Sequence, residues 1–406
     1  MNRPGVTGKG FSVLAITPLF PTACEPQYAM FNKQQFMALA ACARVRVISP
    51  APWLPRLPLL QGWKRWHNLA AVPRYEIIEG IEVWHPRYAM LPKIGRKLDA
   101  GAFIAGIRPT VRRLVQAERP DCVLATWAYP DIVATVRLRS EFQAPIVAKL
   151  HGSDINEHAA AGWCRRVVAD ALRQCEAVIC VSAGLRDGAL ALGVKPEKVH
   201  LISNGVDTNR FTLRDRAQCR RRLGLSLEGR LIVFIGGVEP VKGPDVLMRA
   251  FTELQSSVSG KTVRLVVVGD GPMRSELARQ MSAPIAAGLV RFVGSRPHEE
   301  VAIWLGAADV VCVPSRLEGC PNVVLEALAS GRPVVGSRTG GLPELIRSPT
   351  SGLLVPAEDA DALAHALSHA LQTEWDAEEI RQSTAVSWQE NAARLFEVLR
   401  DATAPA

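Results

Sequence analysis

Short runs of Val, Ile and Leu, each closed by a Gly, Pro or Asn turn and followed by a helix-like stretch, recur along the chain and narrow its fold to a small class. One series falls at 13–17, 45–49, 123–126, 146–150, 178–181 and 199–202, and a second at 231–235, 265–268, 290–293, 310–313 and 334–336. Continuous apolar strands that alternate with helices predict a parallel sheet covered on both faces. Two series predict two doubly wound α/β domains. Between them, residues 207–230 hold Arg210, Arg214, Arg216, Arg220, Arg221 and Arg222 and no strand candidate. A short helix is expected there, starting at Asp215 and ending near Gly224. The tail carries Trp388, Leu395, Phe396 and Leu399 as an apolar helical stripe. The expected division is therefore 1–207, 208–375, and a helical segment 376–406 that packs back on the first domain.

Composition agrees with that class and excludes others. The 406 residues are too many for one ordinary domain, and 48% hydrophobic with 6% aromatic suits an aliphatic α/β core. Nine cysteines, odd in number and without a C-x-x-C pair, argue against a disulfide framework or a zinc site and point to a reducing cytoplasm. The apolar run at 11–17 is too short for a signal peptide, and no run approaches the ~20 apolar residues that cross a bilayer.

The net charge of +9 is unevenly spread: residues 1–205 hold 26 Lys and Arg against 15 Asp and Glu, and the other 201 hold 22 against 24. A basic first half fits a phosphate-bearing acceptor or an anionic membrane surface, and fits dispersed solvating charge as well. Nucleic acid is not expected, since no zinc finger, helix-turn-helix or RNP signature accompanies the charge. Within the basic half, residues 52–66 mix Trp53, Trp63 and Trp66 with Arg56, Lys64 and Arg65. That mixture suits either a membrane interface or a long loop packed on the first domain.

Open α/β sheets bind ligands at the carboxyl ends of their strands, and each polar candidate follows a predicted strand. After 310–313 comes Pro314-Ser315-Arg316-Leu317-Glu318-Gly319-Cys320-Pro321-Asn322, then a helix containing Glu326. Two carboxylates so placed can accept hydrogen bonds from vicinal hydroxyls, beside helix-start amides that favour anions. A surface loop whose Glu326 merely complements the helix dipole is the alternative. After 231–235, Gly236-Gly237 permits close approach of a ligand and Lys242 can neutralise a diphosphate; a plain glycine turn reads equally well. His151 follows 146–150, and Asp154 reads as a helix cap. Asp359-Ala-Asp361 has the D-x-D form of a metal site, but it lies at a helix start where Asp caps, and no metal is expected. A dinucleotide-dependent oxidoreductase would need a G-x-G-x-x-G that the chain lacks.

The segment from Glu318 to Glu326 resembles the E-x7-E motif of the family-4 glycosyltransferases. The likeness extends in order through Asn204-Gly205-Val206-Asp207, Gly269-Asp270-Gly271-Pro272, Ala308-Asp309-Val310, Gly331-Arg332-Pro333, Gly340-Gly341, Pro343-Glu344 and Gly352-Leu353-Leu354-Val355. It implies a GT-B architecture of two facing Rossmann-like domains and a retaining transfer from a nucleoside-diphosphate sugar, without metal or other cofactor. By resemblance Glu318 contacts hydroxyls of the donor sugar, Glu326 holds the ribose, and His151 faces the transferred sugar near the reacting carbon. Gly237, Lys242, Gly319, Cys320, Pro321 and Asn322 complete the expected nucleotide-sugar site.

Two positions depart from the family pattern: Gly237 stands where Arg is common, and Ala29 stands where Gly is usual. The acceptor implied is a glycan or a polyprenyl-linked glycan, in bacterial surface-polysaccharide synthesis in the cytoplasm or at the inner face of the cell membrane. A nucleotide-sugar epimerase or a non-catalytic scaffold on the same fold are the rival readings.

Overall fold

Apolar runs become the strands of two sheets in the computed structural model, which describes residues 10–53, 69, 71–89, 99–152, 154–155, 162–257, 262–383 and 386–404. The chain forms two compact units, residues 1–204 with 388–406, and residues 205–387.

Unit 1 holds β1 (Ser12–Ile16), β2 (Arg44–Ile48), β3 (Ala51–Trp53), β4 (Tyr75–Ile78), β5 (Ile81–Trp84), β6 (Arg87–Ala89), β7 (Cys122–Thr126), β8 (Ile146–Leu150), β9 (Ala177–Cys180) and β10 (Val199–Leu201). Eight of these make one sheet in the order β10-β9-β8-β7-β1-β2-β5-β4, and β3 pairs with β6. Every pair in the main sheet is parallel except β4 with β5. Its central strands β1, β7 and β8 are buried along their whole length, as unbroken apolar runs require.

Unit 2 holds β11 (Arg230–Ile235), β12 (Val263–Val268), β13 (Val290–Gly294), β14 (Val310–Val313), β15 (Val334–Ser337) and β16 (Gly352–Val355). All run parallel in the order β13-β12-β11-β14-β15-β16, the doubly wound order of a Rossmann fold. Apolar clusters fill both faces: Val233, Val311 and Leu328 belong to one, and Phe234, Phe251 and Leu367 to the other.

The predicted linker helix is present as Arg216–Arg222, with the Asp215 side chain accepting from the Gln218 amide at its start. Behind it, the buried carboxylate of Asp309 gathers Arg216, Arg220 and Arg230 and accepts from the Leu231 amide at 2.7 Å. This cluster fixes the Arg-rich linker to the edge where β11 and β14 begin.

The divisions fall after Asn204 and after Ser387. Residues 205–207 and 376–387 therefore group with unit 2, where Ile380 of the helix Ala377–Gln382 is buried in the core. Only the last helix, Trp388–Asp401, joins unit 1, burying Ala392, Leu395, Val398 and Leu399 against its sheet.

Candidate functional site

The order of unit 2 reverses between β11 and β14, so the loops that leave these two strands diverge and open a crevice at their carboxyl ends. Lys242 lies in the first loop and Glu318 in the second. Lys242 Nζ donates to both carboxylate oxygens of Glu318, at 2.8 and 3.0 Å, and Ser315 Oγ donates to Oε1 at 2.7 Å. Glu318 is 8% exposed, so its charge is held by defined partners.

Three features fix the backbone of this loop. Arg316 donates from its amide to the Val241 carbonyl, and its guanidinium reaches both oxygens of Asp245 and one of Glu358. The hydrogen bond to Asp245, with Glu358 beside it, raises the Arg316 pKa, and the same bond lowers that of Asp245. Gly243 and Gly340 press on the loop from either side. Both have positive φ (63° and 52°), and a Cβ would lie 2.1 Å from the Pro314 oxygen and 1.8 Å from the Glu318 oxygen respectively. No side chain fits at either place.

The helix Asn322–Ala329 follows, preceded by Pro321, with Glu326 on its second turn and 8% exposed. Glu326 Oε1 lies 2.8 Å from His298 Nε2, and Arg210 Nη1 lies 2.9 Å from His298 Nδ1. Gly319 and Cys320 complete the turn into this helix. At Gly237 the space beside the backbone is taken by the Glu239 carboxylate, 2.9 Å from where a Cβ would sit.

In unit 1 the sheet order reverses at β1 and β7, where Thr126 donates to Thr17 between strand ends. Both following loops contain a non-glycine residue at positive φ, Ala29 at 49° and Trp127 at 84°. Such strain is retained where the surroundings dictate it, commonly at sites. Ala29 opens the helix Met30–Leu39 from the left-handed region, which accounts for the fit of a glycine at that place.

His151 follows β8. Burial, helped by the Lys149 charge, drives its pKa well below the ordinary histidine value, so the ring is neutral at pH 7. Its ring lies 4.9 Å from Phe31, and its Nε2 is buried with no hydrogen-bond partner among the described residues. Asp154 accepts from the amides of His151, Gly152, Ile155 and Ala128. It thereby joins the loops after β7 and β8, a wider task than the helix cap expected of it. Beside β1, β2 and β5, a cavity of about 160 Å³ is lined by Phe20, Tyr28, Pro52, His85 and Tyr88 among others.

Residues 229–373 match a family profile described as glycosyl transferases group 1, and residues 38–210 match glycosyltransferase family 4. TuaC of Bacillus subtilis, named for teichuronic acid biosynthesis, is 31% identical over 362 residues, covering 88% of each chain. The chain belongs to glycosyltransferase family 4. A D-inositol 3-phosphate glycosyltransferase of Acidothermus cellulolyticus is 37% identical over 224 residues, and the match spans about half of either protein: 52% of this chain and 50% of that one. The crystal structure of Anabaena HepE in complex with UDP superposes with a TM-score of 0.64 at 20% identity, covering 96% of this chain and 98% of that one. The fold is GT-B.

This family-4 enzyme brings Lys242, Glu318 and the loop through Gly319, Cys320, Pro321 and Asn322 to one crevice of unit 2, with Glu326 on the helix that leaves that loop. His151 belongs to unit 1. Sequence reading missed Ser315, Arg316, His298 and Arg210 as organisers of the crevice. The Ser315-x-x-Glu318 spacing carried a signal, because it is that of a capping box. His298 and Arg210 are 88 residues apart and share no local pattern. The capping reading of Asp359 corresponds to its bond from the Ala362 amide at 2.9 Å. Of the Trp-rich stretch 52–66, residues 54–66 lie outside the described residues, and Trp53 is 51% exposed. Among the described residues no helix is long and apolar enough to cross a membrane.

Proposed function

We propose that this glycosyltransferase moves a hexose, with retention of anomeric configuration, from a nucleoside-diphosphate sugar to a glycan or lipid-linked glycan of the bacterial surface. The observation that carries the reading is the Lys242–Glu318 pair at the switch point of unit 2. A cation and a sugar-binding carboxylate meet where a Rossmann sheet receives a nucleotide, one turn ahead of a helix start. The UDP complex of HepE and the teichuronic acid role named for TuaC support the donor class and the pathway.

In this reading the diphosphate competes with Glu318 for Lys242 and takes further stabilisation from the backbone at Gly319, Cys320 and Asn322. Gly237 adds flexibility there and no charge. Glu318, released in part, accepts hydroxyls of the sugar, and Glu326 accepts those of the ribose. Positive charge and oriented amides stabilise the departing diphosphate without a metal ion. His151, neutral at pH 7, is assigned to the transferred sugar.

The acceptor belongs to unit 1, whose aromatic cavity near Tyr28 and Tyr88 offers faces for a sugar or an isoprenoid. An anionic membrane surface beside the basic unit 1 fits the lipid-linked acceptor and a location at the inner face of the cell membrane. Asp154 is occupied by four backbone amides, and Asp131, buried beside it, is held with its pKa raised well above the ordinary range by burial and then by the Asp154 charge. Neither is set up as a nucleophile. Same-face attack is therefore favoured: the acceptor oxygen bonds to the anomeric carbon as its bond to phosphate breaks, and the acceptor proton passes to the leaving phosphate oxygen.

A thermal-shift screen of nucleoside diphosphates and their sugars identifies the donor, because a bound ligand raises the melting temperature. With that donor, Glu318→Ala is expected to reduce transfer about 100-fold or more, the scale of one lost transition-state contact. Transfer near the wild-type rate would overturn the assignment. Anomeric analysis of the product tests retention, and a free epimerised nucleotide sugar in place of a glycoside would favour the epimerase.

A further inference from the structure

The carboxylate of Glu326 has a neighbour whose protonation pattern is fixed by geometry. His298 opens the helix His298–Ala307, and its ring stands between Arg210 and Glu326. A guanidinium has only hydrogens to offer, so the Nδ1 atom that meets Arg210 must be the acceptor. The ring hydrogen then resides on Nε2, where it donates to Glu326 Oε1 at 2.8 Å. Arg210 is itself held, 3.5 Å from Asp207 and 3.6 Å from Glu299, and Phe211 packs 5.3 Å from the imidazole. Both ring nitrogens and one side of the ring therefore have defined neighbours.

We propose that His298, set in its Nε2–H tautomer by Arg210, is the positioning residue for Glu326. It holds one carboxylate oxygen so that the other faces the ribose hydroxyls of the donor. The inference rests on the assignment of Glu326 to the ribose made above. A glutamate side chain has three rotatable bonds, and a ligand that has to freeze them loses affinity. Burial restricts Glu326, but burial alone does not choose which oxygen points outward. The imidazole does, because its N–H claims Oε1. The same pair also connects the helices His298–Ala307 and Asn322–Ala329, so a purely structural tie is the reading to separate from this one.

The separation uses paired nucleotides. UDP, GDP and ADP are titrated calorimetrically against the wild-type protein, and the best binder is compared with its 2′,3′-dideoxy form. His298→Leu is expected to weaken the ribonucleotide about tenfold, the size of one hydrogen bond to a charged group. The dideoxy form should bind His298→Leu and wild type alike. His298→Gln, whose amide supplies one donor and one acceptor, should recover affinity to within about threefold of wild type, which also guards against a folding defect.

Equal losses for both nucleotides would reduce His298 to a structural tie and overturn the proposal. So would an unaffected His298→Leu if Glu326→Gln loses ribonucleotide affinity, and the ribose assignment would then survive. If Glu326→Gln binds both forms as wild type does, the ribose assignment itself fails. Failure of wild type to bind any of the diphosphates tested would overturn the donor reading beneath both.

Discussion

A buried carboxyl without a partner forces a choice between charge and burial, and Asp131 has made it. The residue is fully buried, and among the described residues its oxygens find nothing beyond their own backbone amide. Burial, then the nearby Asp154 charge, raises its pKa well above the ordinary value, so folding retains a proton that the unfolded chain releases above about pH 4. The sign follows from proton binding. Below that pH both states are protonated and nothing is lost; as pH rises through the window up to the raised value, the unfolded state gains and stability falls. Asp131→Asn removes this dependence. Urea midpoints measured from pH 4 to 7 should show the variant gaining on wild type as pH rises, and parallel curves would refute the account. Sequence alone did not single out Asp131, since Tyr129-Pro130-Asp131 reads as an ordinary turn. Its unusual state arises from burial in the fold and then from the charge of Asp154, 23 positions later, neither of which a local pattern encodes.

Strands were legible because burial on both faces writes itself into the sequence as uninterrupted Val and Ile. Each of the eleven expected strands is present, and among those missed β4, β3 and β6 each have a physical reason. β4 carries Tyr75 and Ile77 on its open side, at 44% and 63% exposure, and mixes them with Glu76. Its better signal was the turn Glu79-Gly80, where both residues have positive φ and a two-residue hairpin joins β4 to β5. β3 and β6 are three residues each, too short for periodicity to register. The crevice loop was legible as a motif but not as an object with walls. Gly340 shows why: its meaning is the Glu318 carbonyl pressed against it, 22 positions away. Gly340→Ala must move that loop or leave the left-handed region, at a cost of about 1–3 kcal/mol. Nucleotide affinity and melting temperature should both fall. Gly184→Ala is the control, since it lies inside a helix with nothing within 4 Å, and there the change should stabilise by about 0.5–1 kcal/mol. Equal effects at the two positions would show that the crevice does not depend on the close approach at Gly340.

Across the whole chain, the return of the last helix to unit 1 is secured by polar groups as well as by its apolar stripe. Lys149, at the end of β8, donates to Gln35 Oε1 at 2.6 Å, and Gln35 Nε2 donates to Asn391 Oδ1 at 2.6 Å. Asn391 in turn donates to the Ser203 carbonyl, just before the chain leaves for unit 2. All three side chains are fully buried. The stripe Trp388, Leu395 and Leu399 made the helix readable, but nothing in it marked Asn391 as an inward-facing residue. Inside the fold it is the group that joins the first helix, the central sheet and the last helix. Asn391→Leu keeps the apolar contacts nearby and strands the Gln35 amide and the Ser203 carbonyl, each costing about 1–3 kcal/mol when left unmet. Gln35 is then freed from its orientation toward Lys149, so the penalty reaches β8 and the base of the His151 loop. Hydrogen exchange should show lost protection in the helix Met30–Leu39, β8 and the helix Trp388–Asp401, with β11 and β12 unchanged. Uniform loss over both units, or none, would mean that the polar chain is not what fastens the last helix to unit 1.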